Sequence, residues 1–500
     1  MAKTKEKKKL QFPHPIIFIL ILSVIMMCLS WVVPAGYYKA IDANGIIAGE
    51  EGYDETTGVL VYDEEHYIST GEPAKIGVWT SIQQIVAGFN GAKSVVFLIL
   101  VAFSTIYVIE ATGALDALVA SCVRMAEKRP KAGPIMLVII MYLMALWGGT
   151  GTLSYEEIGA FIPIFLLLCI SLGYDPIVAL ATCAMSMGYG FASGYANPFT
   201  TGTAHNIVGL TPLSGAGYRL IVLVVTVGFL AFYTLRYAKK IKADPSLSIT
   251  ADIDYSHLKI DEERKATRFT PVRTLSLLAL VAMVGMMFYQ LMFKRQYIDC
   301  CTALFLALTF IIMMIRWIVP VIQNAMAGKE VEKVYLPSDT MRDWITGMGG
   351  AALPAIIVGF GYGVSNIMAT GGIKDPMIHG MVALLGKTNI YISIVLMFLF
   401  QTFLNFCVPS GSGQAAISMP LIGPIAQGIG MNLQSATLAF NFGDGFSNLL
   451  WPTAYAVVLP VLAGIPVGRY YKWFLKLFLC TCVILVILLE ISLFLWQGVY

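Results

Sequence analysis

The residue that most invites a chemical reading is Asp444, inside the run Asn441-Phe442-Gly443-Asp444-Gly445-Phe446-Ser447-Asn448. It stands among long apolar stretches, where a carboxylate is costly unless it is paired, protonated or facing water. Its functional readings are a Na⁺ ligand, a proton carrier or the counter-ion of a cationic substrate. The structural alternative is an acid that caps a half-helix. Asn197, within Ser193-Gly194-Tyr195-Ala196-Asn197-Pro198-Phe199-Thr200-Thr201-Gly202, and Asn448 carry amide oxygens suited to a cation, to a substrate hydrogen bond, or simply to holding a loop. Asn197, Asp444 and Asn448 are thus the candidate Na⁺ ligands, and Thr200 and Thr453 are hydroxyls beside the same two segments. Two more clusters, Gly148-Gly149-Thr150-Gly151-Thr152-Leu153-Ser154 and Pro409-Ser410-Gly411-Ser412-Gly413-Gln414, each precede an apolar helical stretch. A helix N-terminus binds carboxylates because its orphan N–H groups and positive dipole end face the ligand. The substrate-binding candidates there are Thr150, Thr152 and Ser154 in the first cluster, and Ser410, Ser412 and Gln414 in the second. Ser154 with Glu157 fits a capping box, whereas Glu156 is the other acid expected to reach a cavity. His205 reads as hydrogen-bonded structure and Glu490 as a buried pair partner. The five histidines are scattered and form no metal-ligand or nucleophile constellation. No catalytic residue is assigned, the chain is read as a non-enzyme, and no cofactor is expected beyond coupling Na⁺ or H⁺.

The elements that must position these residues are membrane spans. Apolar residues make up 57% of the 500 and charged residues 13%, with a mean hydropathy of +0.75. A soluble chain needs roughly a quarter of its residues charged. The charges are also confined to short stretches between apolar runs of roughly 20 residues, the length that crosses hydrocarbon. A net charge of +3 gives no reason to expect a nucleic-acid partner. The cysteines have no metal-ligand spacing and read as small buried hydrophobes. The basic stretch Lys3 to Lys9, followed by an apolar run at 16–33, reads as an uncleaved first span rather than a signal peptide. The basic segments at 3–9, 124–131, 239–273, 329–342 and 469–476 can all be cytoplasmic only if residues 134–172 enter and leave on one side. That solution is an all-α polytopic protein with about nine transmembrane helices plus two re-entrant hairpins, and a cytoplasmic N-terminus. Lys294, Arg295, Lys374 and Lys387 are left outside as exceptions.

Self-similarity organises the chain. Trp31-Val32-Val33-Pro34 recurs as Trp317-Ile318-Val319-Pro320, and Ala111-Thr112-Gly113 as Ala369-Thr370-Gly371. The two Gly/Ser clusters correspond, as do Leu172-Gly173-Tyr174 and Ile429-Gly430-Met431, and then the segments around Asn197 and Asp444. The expected division is a first repeat over 1–238, with a hairpin about 134–172 and a broken helix about 175–212. A cytoplasmic linker and connecting transmembrane helix follow over 239–297. The second repeat covers 298–500, with a hairpin about 389–430 and a broken helix about 432–465. In this topology the repeats are inverted, and inverted repeats with Gly/Pro-interrupted segments at matching positions point to alternating access around a midplane site. Unwound backbone at that depth must line protein or a water-filled cavity.

The run Asn441-Phe442-Gly443-Asp444-Gly445 with Asn448 and Trp451-Pro452-Thr453, and the tip Pro409-Ser410-Gly411-Ser412-Gly413-Gln414, resemble the YfcC-like branch of the anaerobic C4-dicarboxylate carrier family, which includes ArcD-type arginine/ornithine exchangers. The resemblance covers nearly the whole chain. It implies the ion-transporter superfamily fold, with a scaffold domain that forms a homodimer and a transport domain that moves as an elevator in the bacterial inner membrane. Substrates across the family range from dicarboxylates to basic amino acids. The tips and breaks hold Glu156, Glu157 and Asp444 but no Lys or Arg, which favours an amino-acid cargo such as arginine or ornithine. A Na⁺- or H⁺-coupled C4-dicarboxylate carrier is the alternative, and a channel or membrane enzyme the remote one.

Overall fold

The computed structural model describes residues 14–41, 59–60, 67–129, 131–151, 153–211, 214–259, 261–294, 298–385 and 388–496. The first half runs α1 (Pro15–Leu29), α2 (Val78–Gly91), α3 (Lys93–Glu110), α4 (Ala114–Lys128), α5 (Ala132–Gly148), α6 (Tyr155–Ile158), α7 (Ile162–Ser171), α8 (Pro176–Leu180), α9 (Ser186–Ser193), α10 (Thr203–Val208) and α11 (Ala216–Ala243). The linker carries α12 (Glu262–Lys265) and leads into α13 (Pro271–Lys294). Then come α14 (Ile298–Ala327), α15 (Pro337–Thr370), α16 (Lys374–Leu385), α17 (Ile390–Cys407), α18 (Gly411–Gly428), α19 (Leu433–Ser447), α20 (Val458–Leu462) and α21 (Val467–Leu495). Two short antiparallel strand pairs join residues 36–38 to 67–69 and 40–41 to 59–60. The chain is an all-α polytopic membrane protein. Eight helices among the described residues are long and apolar enough to cross a bilayer, with Pro176–Val208 taken through its interruption. The set differs from the expected one in three elements: α1 has 15 residues and α19 has 15 before a non-helical stretch, so neither is counted, while α17, expected as a hairpin arm, is long enough to be counted.

The order of elements repeats. Helix, tip and helix at α5, 149–154 and α6–α7 recur as α17, 408–410 and α18; the interrupted segment α8–α10 is followed by the long α11, and α19–α20 by the long α21. Polar caps set the starts. Asp175 accepts from the Val178 N–H at 3.1 Å with Pro176 at the first helical position, and Asn389 accepts from Ile392 N–H at 3.0 Å. The same Asp175 accepts from the hydroxyls of Tyr237 at 2.6 Å and Ser248 at 2.7 Å, tying the end of α11 and the linker to the start of α8.

Small residues set the helix spacing. One group packs α15 on α2 and α3, with α14 on α3; another packs α9 on α5, and α19 on both α17 and α9. An ideal Cβ at Gly190 would sit 1.8 Å from the Ala145 carbonyl oxygen, and one at Gly445 would sit 2.3 Å from the Ala192 Cα. In the other group a Cβ at Gly88 would meet the Gly363 nitrogen at 2.3 Å. Such backbone approach is how helices associate where lipid removes the hydrophobic drive between them.

One expectation is corrected here. Asn441–Ser447 is not unwound: α19 continues through it, and the interruption falls at 448–457. Gly443 and Gly445 serve packing instead, since a Cβ on Gly443 would lie 2.2 Å from the Gln401 Cβ. In the first half α9 does stop at Ser193, with Gly194 left-handed at φ +57°, and helix resumes in a π-wound turn at Pro198–Gly202.

Candidate functional site

The second tip, both interrupted segments and the first turn after the first tip meet at one cavity of about 230 Å³. Glu156, Thr200, Ser410, Ser412 and Asn448 line it. So do residues that sequence reasoning missed, among them Tyr155, Tyr455 and, from the other helix group, Tyr362. Tyr155 stacks on Tyr455 with centroids 5.2 Å apart, and its hydroxyl donates to the Gly445 carbonyl at 2.8 Å. These aromatics come from three distant parts of the chain, so no local pattern groups them; adjacency of Tyr155 to the tip was the available hint.

Below this cavity lies Asp444, 1% exposed, with neither carboxylate oxygen bonded among the described residues. The second tip covers it. A Cβ at Gly411 would be 3.1 Å from Asp444 Oδ2 and 2.5 Å from Thr200 Cγ2. The carboxylate therefore lies against the N-terminus of α18, where orphan N–H groups and the dipole favour negative charge. Its main-chain carbonyl accepts from the side-chain amides of Asn405 and Asn448, each at 3.0 Å. Asn405 was not anticipated, although an Asn deep in an apolar helix is a visible signal.

The remaining expected ligands are engaged in structure. Asn197 Oδ1 accepts from the N–H groups of Phe199 at 2.9 Å and Thr200 at 3.2 Å, and its Nδ2 is buried without a partner among the described residues. Asn448 Oδ1 accepts from Asn405 at 3.2 Å. Asn197 Oδ1 is thus filled by two backbone donors, whereas Asn448 Oδ1 accepts a single bond and keeps a second acceptor position. Thr150 donates to the Trp147 carbonyl at 2.6 Å, and Thr453 to Phe406 at 2.9 Å. Gln414 donates to the Gln401 side chain at 2.7 Å inside the second hairpin. Thr152 lies outside the described residues.

Ser154 caps its helix as read: its N–H donates to Glu157 Oε2 at 2.9 Å and its hydroxyl contacts the same oxygen at 2.6 Å. That hydroxyl also contacts Glu156, and its single hydrogen serves one carboxylate at a time. Glu157 is buried, whereas Glu156 is partly open to the cavity. Glu490 is half-buried, with no ion pair among the described residues, which corrects its reading as a buried pair partner. His205 is buried, bonded through Nδ1 to the Thr211 carbonyl at 3.1 Å.

Arg219 is the largest omission from the charge inventory. It is wholly buried, and its Nη1 donates to Asn441 Oδ1 at 2.7 Å. Asn441 Oδ1 also lies 3.2 Å from the Thr201 hydroxyl, whose single hydrogen it shares with the Gly194 carbonyl at 2.7 Å, so α11, the first break and α19 meet at this cation. A lone Arg within a span was a legible signal. It does not line the cavity, whose ionisable acid is Glu156 and which has no Lys or Arg among its lining.

A family model described as C4-dicarboxylate anaerobic carrier matches residues 12–494. The chain is 25% identical over 484 residues to the Escherichia coli (strain K12) protein YfcC, provisionally named a basic amino acid antiporter, covering 92% of this chain and 91% of that one. It is 26% identical over 539 residues to an uncharacterised protein of Haemophilus influenzae (strain ATCC 51907 / DSM 11121 / KW20 / Rd), covering 99% and 100%. Among solved structures, the Alcanivorax borkumensis YdaH transporter aligns with a TM-score of 0.40 at 15% identity, over 97% of this chain and 99% of that chain.

Proposed function

The chain belongs to the C4-dicarboxylate anaerobic carrier family and is a membrane transporter, and from that premise we propose that its cargo is an amino acid with a cationic side chain, such as arginine or ornithine, moved by exchange or ion coupling. The observation that carries this reading is the lining of the 230 Å³ cavity, where Glu156 meets the N-terminal turn of α18 and no Lys or Arg is present. The N–H groups after Ser410 suit the substrate carboxylate; Glu156 suits the cationic end. Tyr155, Tyr362 and Tyr455 offer faces to a guanidinium or ammonium group. A dicarboxylate would bring two negative charges to a cavity that already holds one. The description of the matching family favours that second reading.

Of the two coupling ions, a proton fits Asp444 better than Na⁺. Asn197 Oδ1 already accepts two backbone N–H groups and Asn448 Oδ1 one side-chain amide, while a buried, unbonded carboxylate is stabilised by neutralisation. The inverted orientation of the repeats, the cytoplasmic N-terminus, the bacterial inner membrane and the homodimer belong to the same proposal.

Uptake into proteoliposomes decides between the cargoes. Labelled arginine, ornithine, succinate and fumarate are supplied separately, under a Na⁺ gradient, a pH gradient or neither. Arginine or ornithine uptake that is trans-stimulated by the other, or driven by the pH gradient, is expected. Uptake of succinate alone overturns the reading.

A further inference from the structure

A second, larger cavity of about 590 Å³ shares no lining residue with the substrate cavity and lies between α4, α5, the end of α7 and the end of α11. Its walls are apolar, including Pro134, Leu172 and Leu235, and its rim carries Lys239 and Lys242. Lys242 is already oriented: its ammonium donates to the Leu172 carbonyl at 3.2 Å and sits 4.9 Å from the centre of the Tyr174 ring. Lys239 is exposed and makes no bond or ion pair among the described residues.

The charge around this rim is mainly positive. Lys128, Arg129 and Lys131 are exposed on the turn between α4 and α5, whose flanking residues Ala126 and Gly133 both line the cavity. The neighbouring acids are engaged elsewhere. Glu127 pairs with Lys265, Asp175 accepts from Tyr237 and Ser248, and Asp244 accepts from the Ser246 hydroxyl at 2.7 Å. The position matters as much as the charge. Lys239 and Lys242 close the 28-residue helix α11, so the apolar wall below them continues into hydrocarbon while the lysines stand at its edge.

We propose that this cavity is a binding site for an anionic phospholipid, with the headgroup phosphate held by Lys239 and Lys242, assisted by Lys128, Arg129 and Lys131, and an acyl chain lying along Pro134, Leu172 and Leu235. A basic pocket between spans at the headgroup level combines both attractions that a lipid offers. A free phosphate would satisfy the lysines and leave the apolar wall uncovered. A zwitterionic lipid would bring its own cation against a cluster of basic side chains. The site joins α4, which is ion-paired to the linker through Asp116 and Arg264 at 2.5 Å, to the first helix–tip–helix segment. A bound lipid there touches α4, α5 and α11 together.

The test uses the full chain in detergent and reads lipid binding rather than transport, so its outcome is independent of the cargo. Native mass spectrometry with added phosphatidylglycerol or phosphatidylcholine is expected to retain the anionic lipid preferentially. Lys239→Gln is expected to weaken retention roughly fivefold, the effect of one basic group near an anionic surface, and Lys239→Arg to preserve it. Lys239→Gln/Lys242→Gln is expected to weaken it further, while inorganic phosphate does not displace the lipid. Equal retention of the two lipids, retention unchanged in Lys239→Gln, or displacement by inorganic phosphate overturns the proposal. If Lys239→Gln alters the melting temperature in lipid-free detergent, Lys239→Arg restoring retention still separates charge from folding.

Discussion

At the first tip, the Ser154 hydroxyl and N–H face inward onto Glu157 and Glu156, and Ser154 itself is 2% exposed. At the second, Ser410 and Ser412 are exposed to the cavity, and the turn they begin lies over a carboxylate with no bonded oxygen. Both tips open a helix from a Gly/Ser stretch, and both leave the same orphan N–H groups. The difference is who satisfies them. A glutamate three residues on closes the first tip from within its own chain segment. The second has Gly413 and Gln414 where that acid would stand, so no carboxylate of its own segment takes the N–H groups of Gly411 and Ser412, which stay open to Asp444 and to a ligand. Matching positions in a repeat thus need not share a job: the first tip holds Glu156 in place, and the second binds.

The severest test of this difference is Asp444→Asn. If the carboxylate is the ionisable partner beneath the second tip, its loss is expected to lower kcat/KM by roughly a hundredfold, the scale of a lost buried charge interaction. Coupling to a pH gradient is expected to disappear with it, while membrane abundance and counterflow exchange are affected less. Wild-type uptake in this variant would remove Asp444 from the site.

Glu156→Gln tests the first tip's contribution to binding. Loss of one charge-assisted contact is expected to raise KM for arginine roughly tenfold with a smaller change in kcat. Uptake of succinate should then improve or stay level. A rise in KM for succinate instead of arginine would reverse the assignment of cargo.

The serines isolate the comparison itself. Ser154→Ala removes a buried cap and is expected to cost about 1 kcal/mol of stability, read as a lower melting temperature, with KM rising less than in Glu156→Gln because the Glu156 carboxylate remains. Ser410→Ala is expected to do the opposite, raising KM a few-fold with little change in melting temperature. Its cap bond to Gly413 N–H is long, at 3.4 Å, and the residue is exposed. Equal behaviour of the two variants would dissolve the distinction between a closed tip and a binding tip.

Much of this was legible in the sequence because polarity in an apolar chain is conspicuous. The order of the elements, the two tips and Asp444 stand out against Leu, Ile and Val. The Ser154–Glu157 cap followed from spacing alone. Glycine was the ambiguous letter: Gly443 and Gly445 looked like a break, yet α19 stays helical through both, and their missing side chains let it approach Gln401 and Ala192. Spacing cannot separate a glycine that unwinds a helix from one that admits a neighbour. The cavity's tyrosines were illegible for another reason, since Tyr155, Tyr362 and Tyr455 become neighbours only through the packing of distant helices. Arg219 was readable and passed over, because it opens a span rather than a break.

A buried, unbonded acid and an exposed, bonded one should respond oppositely to change, and Asp252 supplies the second case. It lies in the linker and forms a two-pronged contact with Arg469 at the start of α21, one prong being 2.6 Å. Hydrogen bonding to Arg469 holds its carboxyl at about 2, below the ordinary 3.8. A carboxylate with a lower value folded than unfolded contributes stability above the unfolded value, and that contribution is lost as pH falls through the folded value. The contact is therefore present at neutral pH and disappears between about pH 4 and pH 2. Because the carboxylate is exposed, solvent and salt screen the pair. Asp252→Asn is expected to leave uptake unchanged and to lower the melting temperature slightly at neutral pH, the gap from wild type closing on acidification. A constant gap down to about pH 2 would mean that the amide disturbs the linker by some route other than charge.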